Sequence, residues 1–137
     1  MTVAAQEWKR CRAYIEDALA FVTTHTIEDV EAGILAGLYV FWPASKSALI
    51  TEIHVFPRTK HMHIFLAGGD LDELRGMVPM LQSWARFNGC SKVTLCGRRG
   101  WERVLKQQGW DTGLVALSLC ADHEVEVSST LREGIRP

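Results

Sequence analysis

Hydrophobic and polar positions along this chain fall into two periodicities. Between residues 5 and 22, Trp8, Cys11, Ile15, Leu19 and Val22 recur at three- and four-residue steps, which predicts a helix with one apolar face. Residues 26–35 read as a second, short helix. Thr26 suits its N-cap, Glu28 and Asp29 suit its first turn, and Gly37 suits its close. The period then drops to two. Residues 38–42 form a short apolar and aromatic strand ended by Pro43. Residues 48–56 alternate, with Leu49, Thr51, Ile53 and Val55 on one face and Ile50, Glu52, His54 and Phe56 on the other. Residues 61–67 make a third strand, and the link at 57–60 suits an antiparallel hairpin.

Helical spacing then returns. Gly68-Gly69 is expected to break the strand. Asp70 suits an N-cap with Glu73 as its capping-box partner. Leu71, Leu74, Val78, Leu81 and Ala85 form an apolar stripe with Trp84 beside it, and Pro79 inside that stretch predicts a kink or a split. Asn88-Gly89 ends the helix. Residues 92–96 read as a buried strand, 101–108 as a helix closed by Gly109, and 114–120 as a last strand. From Asp122 the chain turns polar, and a mobile tail is expected over 122–137 beyond a single domain at 1–121. This order predicts an α/β fold with a mixed sheet: an antiparallel meander, then a βαβ crossover, with helices on both faces.

Composition changes little in that picture. The 137 residues suit one domain, and the 47% hydrophobic and 23% charged fractions are those of a globular protein. A net charge of -1 offers no general attraction for nucleic acid or an anionic membrane, and neither is expected as a partner. Cys11, Cys90, Cys96 and Cys120 form no CxxC pair and read as reduced thiols, mostly buried. No run approaches a membrane span, and the first twelve residues lack the order of a signal peptide. A cytoplasmic or virion-borne protein is the expectation.

Residues 92–110, KVTLCGRRGWERVLKQQGW, resemble the late strand, following helix and aromatic-ended turn of the GNAT N-acetyltransferases, which use acetyl-coenzyme A. The resemblance extends over 38–120. It implies a GNAT-like fold, with a cofactor loop after the central strand whose amides and helix N-terminus hold pyrophosphate. The stretch at that place is AGGDLDEL. Gly68 and Gly69 are present, but Asp70, Asp72 and Glu73 put carboxylates where an anion docks, at about 1 kcal/mol of repulsion each when partly desolvated. The family's general-acid tyrosine falls at Leu105. The combination of GGDLDEL, WARFNGCSKVTLCGRRGWERVL and the TEIHVFPRTKHMHIFLAGG hairpin also resembles small GNAT-like proteins encoded near the head and ejection genes of tailed phages. That implies a role in virion assembly or as an internal virion protein, with other phage proteins or a second copy as partners.

Several clusters carry possible chemistry. Glu52 and His54 share a strand face, His61 and His63 share a face of the next, and a hairpin turn at 57–60 is expected to set His54 nearly opposite His63. A general base with a proton relay fits this group, as does a solvated polar face. A metal site needs three or four converging ligands, and none is expected. Arg98 and Arg99 open the late helix and suit an anion, or a solvated face with ion pairs to Glu102. Trp101 and Arg103 are the candidate interface residues among five tryptophans.

Two readings follow. The first is a non-catalytic GNAT-like phage protein acting through protein contacts, with no cofactor expected. The alternative is an acetyl-coenzyme A-dependent N-acyltransferase with an atypical loop. In that case Glu52 and His54 are catalytic, and Gly68, Gly69, Arg98 and Arg99 hold the cofactor.

Overall fold

A computed structural model describes residues 2–125, which divide into two compact units at Gly97/Arg98. The first unit opens with α1 (Val3–Leu19), capped by the Thr2 hydroxyl, which accepts from Ala5 N–H. Cys11 and Ile15 are its fully buried positions, as the apolar spacing requires. Helix α2 (Ile27–Leu35) begins at a complete capping box: Thr26 and Asp29 each accept the other's backbone N–H. That reciprocal pair satisfies two otherwise orphaned donors.

Four strands follow: β1 (Val40–Pro43), β2 (Ser47–Val55), β3 (Lys60–Gly69) and, after the helices, β4 (Lys92–Leu95). They lie in the order β1-β2-β3-β4, antiparallel until β4, which pairs parallel to β3. Between β3 and β4 the chain crosses through α3 (Leu71–Gly76) and α4 (Val78–Phe87). The expected split occurs: Met77 closes α3 and leads into α4, with Pro79 in the first turn of α4, where its missing N–H costs nothing. The mixed sheet of meander plus βαβ crossover is therefore as the periodicities predict.

Alternation along β1 locates the layers. Phe41 meets Trp8 of α1 edge-on at 5.3 Å, and the next residue, Trp42, meets Trp84 of α4 edge-on at 5.6 Å. Neighbouring side chains on a strand point to opposite faces, so α1 and α4 cover opposite faces. Under α1, the core is Cys11, Ile15, Val30, Ala48, Ile50 and Leu66. Both faces of β2 are dry from Ser47 to Thr51 and become wetter toward Val55.

Three expectations need correction. Gly68-Gly69 does not break the strand: β3 runs through both, with Gly68 opposite Ala48 and Gly69 opposite Ser47. The reason is close packing. A Cβ on Gly68 would collide with the Tyr14 carbonyl of α1, and one on Gly69 (φ +109°) with Lys46 and Ser47. The thiols are evenly divided, with Cys11 and Cys90 buried and Cys96 and Cys120 exposed, all free.

The second unit contains α5 (Arg99–Lys106), closed by Gly109 at φ +93°. Residues 114–120 are not a strand; Leu114, Val115, Leu117 and Leu119 are exposed and carry no ladder pairing among the described residues. Strand-like composition forms a strand only where an edge pairs with it. From residue 126 the expected tail lies outside the described residues. Among the described residues, no helix is long and apolar enough to cross a membrane.

Candidate active site

The ladder between β3 and β4 ends with β4, leaving an opening along the rest of β3. Their pairing covers His61↔Lys92 to Ile64↔Leu95 and stops, while β3 continues to Gly69. A bulge sits at that point. Ile50 pairs with Leu66 and Thr51 with Ile64, so Phe65 is an extra residue on β3. A bulge bends its strand and increases the local twist.

A row of polar side chains crosses the sheet beside this opening. Register places Glu52 opposite His63, and His63 opposite Thr94. His54 completes the group from two residues along β2. Its Nε2 lies 2.7 Å from the Glu52 carboxylate. A carboxylate only accepts, so Nε2 carries the hydrogen of that bond and Nδ1 is left as the basic nitrogen of the neutral ring. The His54 and His63 rings stack at 4.7 Å, 19° from parallel. His63 Nδ1 shares a hydrogen bond of 2.8 Å with the Thr94 hydroxyl. Burial pushes the His63 pKa below the ordinary histidine value, and the His54 ring adds to this, while Glu52 opposes it. Burial thus disfavours the charged form of His63.

Aromatic rings border the row. Tyr39 hydrogen-bonds His25 Nε2 at 3.2 Å, and the Phe65 ring lies 4.8 Å from His25 and 5.5 Å from Tyr39. Burial raises the Tyr39 pKa, with Glu52 and Asp29 adding to the effect, so the phenol stays protonated. Phe56 sits between His54, at 6.2 Å, and His61, at 4.9 Å. Among the described residues, no three His, Cys, Asp or Glu side chains converge on a metal position.

The loop after β3 is arranged differently. Asp70 caps α3 by accepting Glu73 N–H at 2.9 Å, and Asp70 N–H donates to the Lys46 carbonyl at 3.1 Å. Glu73 folds back to accept from Ser45 Oγ at 2.5 Å, from Lys46 N–H at 2.8 Å and from the Ser47 hydroxyl. Those bonds lower its pKa to about 2. The glycines therefore serve contact between protein backbones, and the Asp70 and Glu73 side chains are engaged by the chain itself.

Glu52, His54 and His63 are thus brought together, as their alternation implied. Gly68 and Gly69 lie in the first unit. In the second, Arg98 occupies the N-cap position of α5 and Arg99 is its first residue. Trp101 is half-buried and Arg103 exposed on that helix, and Leu105, at the family's tyrosine position, is buried. Tyr39, Phe65 and Thr94 went unmarked by sequence reasoning. Only long-range pairing puts Thr94 against His63, Phe65 against His25 and Tyr39, and Tyr39 near Glu52.

No protein-family model and no curated protein matches the sequence. Solved structures do match in shape. Glucosamine-6-phosphate N-acetyltransferase from Arabidopsis thaliana superposes with a TM-score of 0.56 at 18% identity, over 83% of this chain and 92% of its own. A predicted acetyltransferase with acetyl-CoA from Clostridium acetobutylicum gives 0.55 at 15% identity, over 69% and 71%. A GNAT family acetyltransferase from Staphylococcus aureus gives 0.58 at 10% identity, over 88% and 94%. Nothing in these comparisons bears on a phage or virion association. The mixed sheet with its βαβ crossover and the shape shared with these enzymes establish that the chain has the fold of the GNAT acetyltransferases.

Proposed function

We propose that this protein is an N-acyltransferase that moves an acyl group from a thioester to an amine. The observation that carries this reading is the stretch of β3 that runs on past its pairing with β4 at the Phe65 bulge, beside the Glu52–His54 pair. A strand edge left open inside a sheet gives an amide-containing donor a place to lie, and a histidine oriented by a carboxylate gives a base. The acetyl-CoA in the Clostridium neighbour and the acetyltransferases of the same shape support it. In the reaction, the acceptor nitrogen attacks the thioester carbonyl and gives its proton to His54, with Glu52 stabilising the imidazolium. The new C–N bond replaces the C–S bond, and the thiolate leaves and takes a proton from water, since Leu105 offers none. Release of free thiol from a thioester in the presence of a panel of primary amines tests the reading. Thiol release that depends on amine and is lost in Glu52→Gln is the expected result. Release by neither protein would remove the enzyme reading.

A second reading is favoured by one observation, the self-engaged loop at Asp70 and Glu73. It is a non-catalytic scaffold acting through protein contacts, with the half-buried Trp101 and exposed Arg103 as candidate contact residues. Its phage or virion setting rests on the sequence resemblance alone. Failure to bind any thioester, together with co-purification of a protein partner lost in Trp101→Ala, is its test.

A further inference from the structure

We infer that the acyl donor of this protein is a pantetheine thioester recognised without its nucleotide pyrophosphate; this rests on the acyl-transfer reading. The fold implies coenzyme A, so the question is whether the residues after β3 fit its diphosphate. They do not. A diphosphate at such a turn is held by free backbone N–H groups and is brought close by glycines that leave space. Here Asp70 N–H is bonded to the Lys46 carbonyl, Glu73 N–H to the Asp70 carboxylate, and Leu74 N–H to the Asp70 carbonyl. Nor is the space of the glycines open to a ligand. The side of Gly68 where a Cβ would stand is taken by the Tyr14 carbonyl, and that of Gly69 by Lys46 and Ser47.

Charge acts in the same direction. Asp70, Asp72 and Glu73 stand within four residues. Glu73 is ionised, because three donors from Ser45, Lys46 and Ser47 converge on it. The Asp72 side chain is 93% exposed, and its one ion pair, to Arg75, is 3.7 Å long. Lys46 lies beside Glu73, Arg75 pairs loosely with Asp72, and Arg10 is already engaged by Glu7 and by the Ala44 and Ser45 carbonyls. A diphosphate would add negative charge to an excess of negative charge.

The seat for the rest of the donor is intact. Beyond Ile64, β3 carries a peptide edge with no strand on the β4 side among the described residues, from Phe65 to Gly69. A pantetheine arm is uncharged and has two amide groups, so it meets this edge as an added strand would. The loop and the edge together select a donor by its arm rather than by its nucleotide.

Calorimetric titration of the full chain with acetyl-pantetheine and with acetyl-CoA tests this. The expected result is that acetyl-CoA binds no more than about fivefold tighter than acetyl-pantetheine. A larger preference for acetyl-CoA overturns the inference and leaves the acyltransferase reading standing. Binding of neither removes both. Because Glu73 helps to hold the loop, the variant to use is Asp72→Asn, which keeps those bonds. It should tighten acetyl-CoA by about threefold and leave acetyl-pantetheine unchanged. A variant that moves neither donor, or both alike, counts against exclusion by charge.

Discussion

The imidazoles of His54 and His63 stack face to face at 4.7 Å, and each is tied at its outer end, His54 to Glu52 and His63 to Thr94. Two cationic rings at that separation repel, so the stack admits one proton readily and a second with difficulty. His63 is the ring that burial keeps neutral.

Folding stability should therefore depend on this ring near neutrality. The folded pKa of His63 lies below the ordinary 6.5, which the unfolded chain retains. Above that value both states are neutral and the ring contributes nothing. As pH falls below it, the unfolded state takes up the proton first and stability declines. Urea denaturation across pH 5–7.5 should show this decline. His63→Phe should flatten it, and an unchanged slope would mean that another group titrates.

Glu73 sets an acid limit of opposite origin. Its folded pKa is about 2 against an ordinary 4.5, because Ser45, Ser47 and Lys46 donate to the carboxylate. The stabilisation is fully present above the ordinary value and is lost as pH falls toward the folded one. Glu73→Gln should lower stability at pH 7 and show a weaker loss between pH 4.5 and 2 than the parent protein, read by circular dichroism.

Gly68→Ala tests the contact between α1 and β3. The added methyl meets the Tyr14 backbone, which cannot swing aside as a side chain can. Destabilisation of at least about 2 kcal/mol is expected from chemical denaturation. A cost near zero would mean that α1 can shift outward without penalty.

Removing the base should separate chemistry from folding. Glu52→Gln keeps the shape of a half-exposed side chain and loses its charge. Acyl transfer should fall by about 10²–10⁴-fold, with thermal stability little changed. His54→Gln should fall as far. Equal rates in all three proteins would leave the pair without a catalytic part.

What the sequence disclosed here was mostly local. The stripe of Trp8, Cys11 and Ile15, the cap at Thr26 and the break at Pro79 each depend on residues within a few positions, and each appears in the structure. The hairpin between β2 and β3 is local as well, so His54 and His63 were legible as neighbours. The bulge at Phe65 leaves no trace in the alternation, since Ile64 and Leu66 are both buried around it. Thr94 reaches His63 across 31 positions, and Tyr39 stands beside Glu52 only once the meander has paired. Gly68-Gly69 looked like a strand break because sequence does not disclose which backbone approaches it.

The turn between β1 and β2 joins segments far apart in the chain. Arg10 of α1 donates to the Ala44 and Ser45 carbonyls, 34 and 35 positions away, while Glu73 of α3 accepts from Ser45, 28 positions away. None of these bonds can form until the meander has brought its ends together, so they close late on the route to the native state. Interactions absent from the rate-limiting barrier act on the escape rate alone. Glu73→Gln should accordingly leave the refolding limb of a chevron plot where it is and raise the unfolding limb, making this clasp a brake on how often the protein opens rather than a guide to how it folds.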